Sequence, residues 1–131
     1  MKKELIKHRG SCHCGAVKFT VEAADNVVVS ECNCSICSKS GYLHLIVEAD
    51  KFHLLEGEDS LVTYTFNTHT AKHTFCKICG IKPFYIPRSH PDGYSVNFRC
   101  LEQDSIGQYQ IEQINGKQWE TVYPGGRGGY D

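Results

Sequence analysis

Cys32-Asn33-Cys34-Ser35-Ile36-Cys37 decides how this chain reads. Three thiols fall within six residues. Cys32 and Cys34 are two apart, so on an extended segment both point to the same face. A tight turn then returns Cys37 to their side. Such a loop presents three sulfurs to one metal ion and leaves a fourth position open. Zinc with three protein ligands and a free position is the arrangement of a catalytic site, whereas four ligands close a structural one.

Outward from this stretch, seven of the eight cysteines fall in three clusters: Cys12/Cys14, Cys32/Cys34/Cys37 and Cys76/Cys79. Cys76-Lys77-Ile78-Cys79-Gly80 reads as a zinc knuckle, a turn that aims both sulfurs inward. A knuckle is half a structural site, and Cys12/Cys14 is the available second half. This partition leaves the triple with its open position, and so predicts two zinc ions per chain. The competing partition adds Cys100 to the triple and closes it; the plainer reading of Cys100 is a small buried hydrophobe at a strand end. Iron–sulfur is a weaker rival, because no four-cysteine run of the cluster type occurs. Zinc on three thiolates carries a net charge of −1. It is a poor activator of water but readily takes a further thiol, which is deprotonated on binding. A thiol presented as nucleophile to a small electrophile is the expected chemistry.

The 131 residues suit one domain with a core of its own. Fourteen basic and fifteen acidic side chains leave a net charge of −1, which offers no pull toward nucleic acid or an anionic membrane. No apolar run approaches a membrane span, and no apolar region follows the basic start. A cytoplasmic protein is therefore expected, where clustered cysteines are metal ligands or catalytic groups more often than disulfides.

Most of the chain reads as short strands between turns. Val17, Phe19 and Val21 alternate with polar residues, and residues 27–31 deliver the chain into the triple. Further strands are expected at 43–47, 52–55, 61–66, 71–75, 84–86, 94–100 and 109–114. Residues 67–70 read as a hairpin turn, residues 89–93 and Asn115-Gly116 as turns, and 101–107 as a short helix. The class is all-β. The expected organisation is a lead-in over residues 1–9, a zinc domain over 10–122 and a flexible glycine-rich tail over 123–131.

The clusters, with Gly10-Ser11-Cys12-His13-Cys14-Gly15-Ala16-Val17 and Phe75-Cys76-Lys77-Ile78-Cys79-Gly80 around them, resemble the glutathione-dependent formaldehyde-activating enzyme family, which shares its domain with centromere protein V. The stretches at 63–69, 73–76 and 84–89 look closer to the centromere protein V branch. The resemblance implies a β-tent fold of small antiparallel sheets pinned by zinc. It implies a structural zinc on Cys12, Cys14, Cys76 and Cys79, and a catalytic zinc on Cys32, Cys34 and Cys37. It also implies a carbon–sulfur lyase-type activity that joins glutathione, or a similar thiol, to formaldehyde or a related small aldehyde. The alternative is a zinc-stabilised interaction module without catalysis.

Several other residues are candidates. His13 lies between two cysteines and is expected to face solvent. His69 and His73 flank the hairpin and are candidates for proton transfer, although polar strand positions are the plainer reading. Asn97 and Arg99 are candidates for a glutathione carboxylate, or else a solvated strand face. Ser35 and Ser38 are expected as turn formers that hydrogen-bond the ligand sulfurs. Trp119 reads as an ordinary aromatic.

Overall fold

The computed structural model describes residues 5–66, 69, 71–88 and 90–114. The first sheet joins β1 (Ile6–Ser11), β2 (Lys18–Ala23) and β5 (Phe52–Glu56) in antiparallel order β1-β2-β5. The second contains β3 (Asn26–Cys32), β4 (Leu43–Glu48), β8 (Phe84–Tyr85), β9 (Gly93–Asn97) and β10 (Gln108–Ile114), in the order β10-β3-β4-β9-β8. β6 (Leu61–Tyr64) and β7 (His73–Cys76) form a separate hairpin. The all-β expectation holds. One pairing departs from the antiparallel rule, since β10 runs parallel to β3 along its whole length. Among the described residues no helix is long and apolar enough to cross a membrane.

The part of the second sheet formed by β4, β9 and β8 carries buried side chains on both faces, and its alternation sorts them into two cores, while β10 at the far edge is exposed. Val27, Val29, Leu43, Leu45, Phe84 and Val96 face the larger core, with Phe19, Val21 and Phe52 of the first sheet opposite. Full burial of each such side chain contributes about 1.5–3 kcal/mol. Cys32, Ile46 and Tyr85 face the other way, into a smaller cluster with Cys34, Cys37, Tyr42 and Ala71. Cys32 therefore leaves the phase of Val27 and Val29 and shares that of Val28 and Ser30.

The cysteine triple differs from the loop expected. Cys32 ends β3, but Cys34 has left the strand and caps a one-and-a-half-turn helix, α1 (Ser35–Ser40). The Ser38 amide donates to the Cys34 carbonyl at 2.9 Å, a helical bond, so helical spacing brings Cys37 back over Cys34. Gly41 stops the helix at φ +66°, a left-handed cap that a glycine adopts without strain.

No α-helix forms at 101–107. Two three-residue 3₁₀ turns, Phe98–Cys100 and Gln103–Ser105, replace it and the end of the expected strand 94–100. The segment is tied to β1 instead: Leu101 bridges Gly10, and the Glu102 amide donates to the Arg9 carbonyl at 2.8 Å. β1 itself starts at Ile6, inside the stretch read as a lead-in. The tail over 123–131, Trp119 and the Asn115-Gly116 turn lie outside the described residues.

Candidate metal centres

The Cys12, Cys14, Cys76 and Cys79 sulfurs all lie within 4.8 Å of one another. Cys12 and Cys14 sit on the turn after β1; Cys76 ends β7 and Cys79 follows in the knuckle. Gly80, at φ +78°, closes the knuckle and donates to the Cys76 carbonyl at 2.8 Å. Sulfur separations of 3.6 Å for Cys12–Cys14 and 3.7 Å for Cys14–Cys76 are far from a disulfide. A tetrahedral ion with metal–sulfur bonds of about 2.3 Å would set sulfurs about 3.8 Å apart, so the donors fit zinc. The Val17 amide points at the Cys12 sulfur at 3.3 Å. The Cys79 amide, ahead of burial and followed by the Ile78 amide, brings the Cys76 thiol below its ordinary range. Burial opposes ionisation of Cys79, but the amides of Cys14 and Ile81 and the neighbouring thiols bring it down to about 6.

The Cys32, Cys34 and Cys37 sulfurs converge in the same way, and all three side chains are buried. In the four-cysteine group the Ala16 amide favours ionisation of Cys14, but burial and the Cys12, Cys76 and Cys79 thiols raise it to about 11; in the triple, too, the thiols oppose one another. Cys32 and then Cys34 push the Cys37 thiol far up, with burial adding to them. Cys34 is raised too, chiefly by Cys32. Three adjacent thiolates thus need a cation to exist together. Each group has the donors and the spacing to hold one metal ion.

The three-cysteine group has a shell of side chains that the other lacks. His44, on β4, is 1% exposed and places Nε2 3.1 Å from the Cys37 sulfur. Its Nδ1 lies 2.8 Å from Ser95 Oγ and 3.3 Å from Tyr85 Oη. Burial, and then Lys82, lower its pKa to about 3, so the ring is neutral near neutral pH. In the tautomer in which Ser95 Oγ donates to Nδ1, the proton sits on Nε2 and points at the sulfur. Tyr42 stands against His44 and Tyr85, and donates its hydroxyl to the Ser95 carbonyl at 2.6 Å. Tyr64, Phe66, His73 and Tyr85 stack in a column running from the surface to this cluster. A cleft of about 220 Å³ opens beside it, lined by Ser35, Ile36, Lys39, Tyr64 and Phe66. A larger cavity of about 450 Å³ lies over β1 and β2 and touches no cysteine.

Residues 7–118 match the model of the glutathione-dependent formaldehyde-activating enzyme family. The chain belongs to this family. It is also similar to a Rhodobacter sphaeroides protein of known crystal structure, a structural-genomics target. The two are 34% identical, the match covers 79% of this chain and 99% of that one, and the TM-score is 0.66.

The remaining candidates have defined places in this family member. Cys100 is in neither group of donors; it is half-buried against the larger core, where burial raises its thiol to about 12. His13 is exposed. His69 is exposed at the hairpin, at φ +58°, bonded to Thr65 Oγ1 at 2.9 Å. His73 is buried and stacked on Tyr85. Asn97 is not on a solvated face: it is buried, and its side chain accepts from the Arg99 amide at 3.1 Å and donates to the Lys82 carbonyl at 3.0 Å. Arg99 is exposed and donates Nε to the Gly41 carbonyl at 3.1 Å, bracing the end of α1. Ser35 and Ser38 are exposed on α1. Sequence reasoning passed over His44, Tyr42, Lys82 and Tyr85. A histidine between leucines in a strand buried on both faces was the available signal, because a buried polar ring requires partners.

Proposed function

We propose that this family member is a zinc-dependent carbon–sulfur enzyme that adds a glutathione-like thiol to formaldehyde or a related small aldehyde. The carrying observation is the convergence of three buried thiols, with no fourth cysteine in the group, inside a shell of buried polar side chains. On this reading Cys12, Cys14, Cys76 and Cys79 hold a structural ion. Cys32, Cys34 and Cys37 would hold the second, and a bound zinc would supply a fourth position that takes a thiol as its thiolate.

The other parts belong to the chain. His44 donates Nε2–H to Cys37 and keeps that sulfur in one orientation. Ser95 holds the His44 tautomer. The aromatic column keeps water from one side of the site, and the cleft beside α1 offers room for the body of the thiol. The balance is simple: the thiol sulfur bonds to the aldehyde carbon, and the carbonyl oxygen ends with the proton the thiol gave up. Nothing is oxidised, so holding and orienting the partners is the site's main task. On this reading the protein works in the cytoplasm, where clustered cysteines serve as metal ligands more often than as disulfides.

The test is formation of S-(hydroxymethyl)glutathione from labelled formaldehyde, followed by exchange NMR with wild type and Cys34→Ser. Rate enhancement by wild type alone is expected. A folded, two-zinc wild type that neither binds glutathione nor accelerates the adduct would sink the enzyme reading. It would favour the interaction module, for which exposed Val62, Ile78 and Ile81 offer apolar surface.

A further inference from the structure

Lys82 lies three residues beyond Cys79, on the segment that leads from the knuckle to β8. Its backbone is gripped on both sides: the Cys76 amide donates to the Ile81 carbonyl at 2.9 Å, and Asn97 donates to the Lys82 carbonyl at 3.0 Å. The side chain runs inward. Its Nζ lies 3.8 Å from the Tyr85 ring centre and 4.8 Å from that of Tyr42, both members of the cluster that contains Cys32, Cys34 and Cys37. Its Nζ also lies 2.6 Å from His73 Nδ1, which accepts from the ammonium. Among the described residues no carboxylate pairs with it. The rings attract the ammonium but carry no net charge to balance it, and a buried cation without a counter-ion is costly. The three-cysteine group is the part of this cluster that would carry negative charge once it holds a metal ion.

We propose that Lys82 is the charge partner of the three-cysteine site, a positioning residue whose ammonium offsets the negative charge gained when that site takes a metal ion and then an anionic thiol. The proposal rests on the reading of the site given above. Loaded with a divalent ion, the three-thiolate set carries −1, and a fourth thiolate makes it −2. The ammonium favours each of these steps and does nothing for a neutral fourth ligand. Burial lowers Lys82 to about 8, while Cys37 and Cys34 hold it up, so it is charged near neutral pH. The backbone links give the arrangement a further consequence: the knuckle of the four-cysteine site sets where the cation of the other site stands.

The test uses the full chain loaded with two zinc ions, as wild type, Lys82→Met and Lys82→Arg. Methionine keeps an unbranched stem between the rings and removes the charge; arginine keeps the charge. Zinc release from the three-cysteine site is followed by competition with a chromophoric chelator. Glutathione binding is followed by calorimetry, with imidazole as the neutral probe. Lys82→Met is expected to weaken both zinc and glutathione by at least about ten-fold, with imidazole within about two-fold, and Lys82→Arg to recover most of the loss. A folded Lys82→Met protein that matches wild type on either scale overturns the proposal. Equal weakening of glutathione and imidazole also overturns it, because that is lost shape rather than lost charge. Should Lys82→Met not fold, Lys82→Gln is read on the same scales. If wild type itself binds no glutathione, the thiol reading fails, and zinc release alone then decides the role of Lys82.

Discussion

The four-cysteine and three-cysteine groups present the same donor atom in unlike settings. Around Cys12, Cys14, Cys76 and Cys79 the support is backbone: amides of Val17, Ile78, Cys79 and Ile81 turn toward the sulfurs, and Cys14 is exposed. Around Cys32, Cys34 and Cys37 it is side chains drawn from β4, β8, β9 and two loops. Two turns suffice to build the first group. The second encloses a histidine, a lysine and two tyrosines, and each buried polar group there needs a partner. The proposed division gives the first group a pinning role and the second the chemistry. The difference teaches that the surrounding shell, more than the number of cysteines, marks where function is to be sought.

The sharpest way to break this comparison is to remove one sulfur from each group. Cys76→Ser is expected to unfold the domain. A structural zinc of this kind contributes about 10–16 kcal/mol, as much as the whole stability of an ordinary domain. Cys34→Ser is expected to leave a folded chain with one zinc fewer. Circular dichroism with elemental analysis checks both, and equal loss of fold would erase the distinction between the sites.

Acid should separate the groups next. In the four-cysteine group Cys76 and Cys79 are brought down, Cys79 to about 6, while Cys14 is pushed up, to about 11; in the triple Cys34 and Cys37 are both pushed up. A thiol with a raised pKa takes a proton at higher pH and so surrenders its metal earlier. On acidification from neutral, the three-cysteine site is expected to empty first and the four-cysteine site, with one more thiolate on its ion and two lowered thiols, at lower pH. The folded signal should follow the second step. Zinc release and dichroism recorded over one titration would show a single joint transition if the contrast is mistaken.

A smaller effect is expected from His44→Phe, which keeps a ring and removes Nε2–H. Zinc at the three-cysteine site should weaken by about 10–100-fold, with the four-cysteine site unchanged. Some stability should also be lost, because the Ser95 hydroxyl loses its acceptor. Chelator competition and a thermal melt measure the two parts. The smallest change is expected from His69→Ala. This exposed residue touches neither group, and its loss should move stability by no more than about 0.5 kcal/mol and leave both zinc affinities unaltered.

What could be read from the chain alone was local. Cys76-Lys77-Ile78-Cys79-Gly80 announces a turn with two inward sulfurs, and the triple at 32–37 announces three donors in reach of one another. The alternation of Val17, Phe19 and Val21 announces a strand. The turn that returns Cys37 was misjudged as a loop, because a short helix without a strong side-chain cap leaves little local trace. The parallel pairing of β10 with β3 joins segments some 80 residues apart and has no signature in either one.

The sequence by itself determined the donors, their grouping and the β class, since spacing of two or three residues acts within one strand or turn. Only the tertiary structure decided what surrounds the donors. His44 faces Cys37 because β4 is buried on both sides, and Ser95 reaches it because β9 pairs with β4. Lys82 enters the cluster because the knuckle and Asn97 fix its backbone. Those neighbours are set by register between distant strands. Register is chosen by how whole faces pack, and no single stretch of chain carries that information.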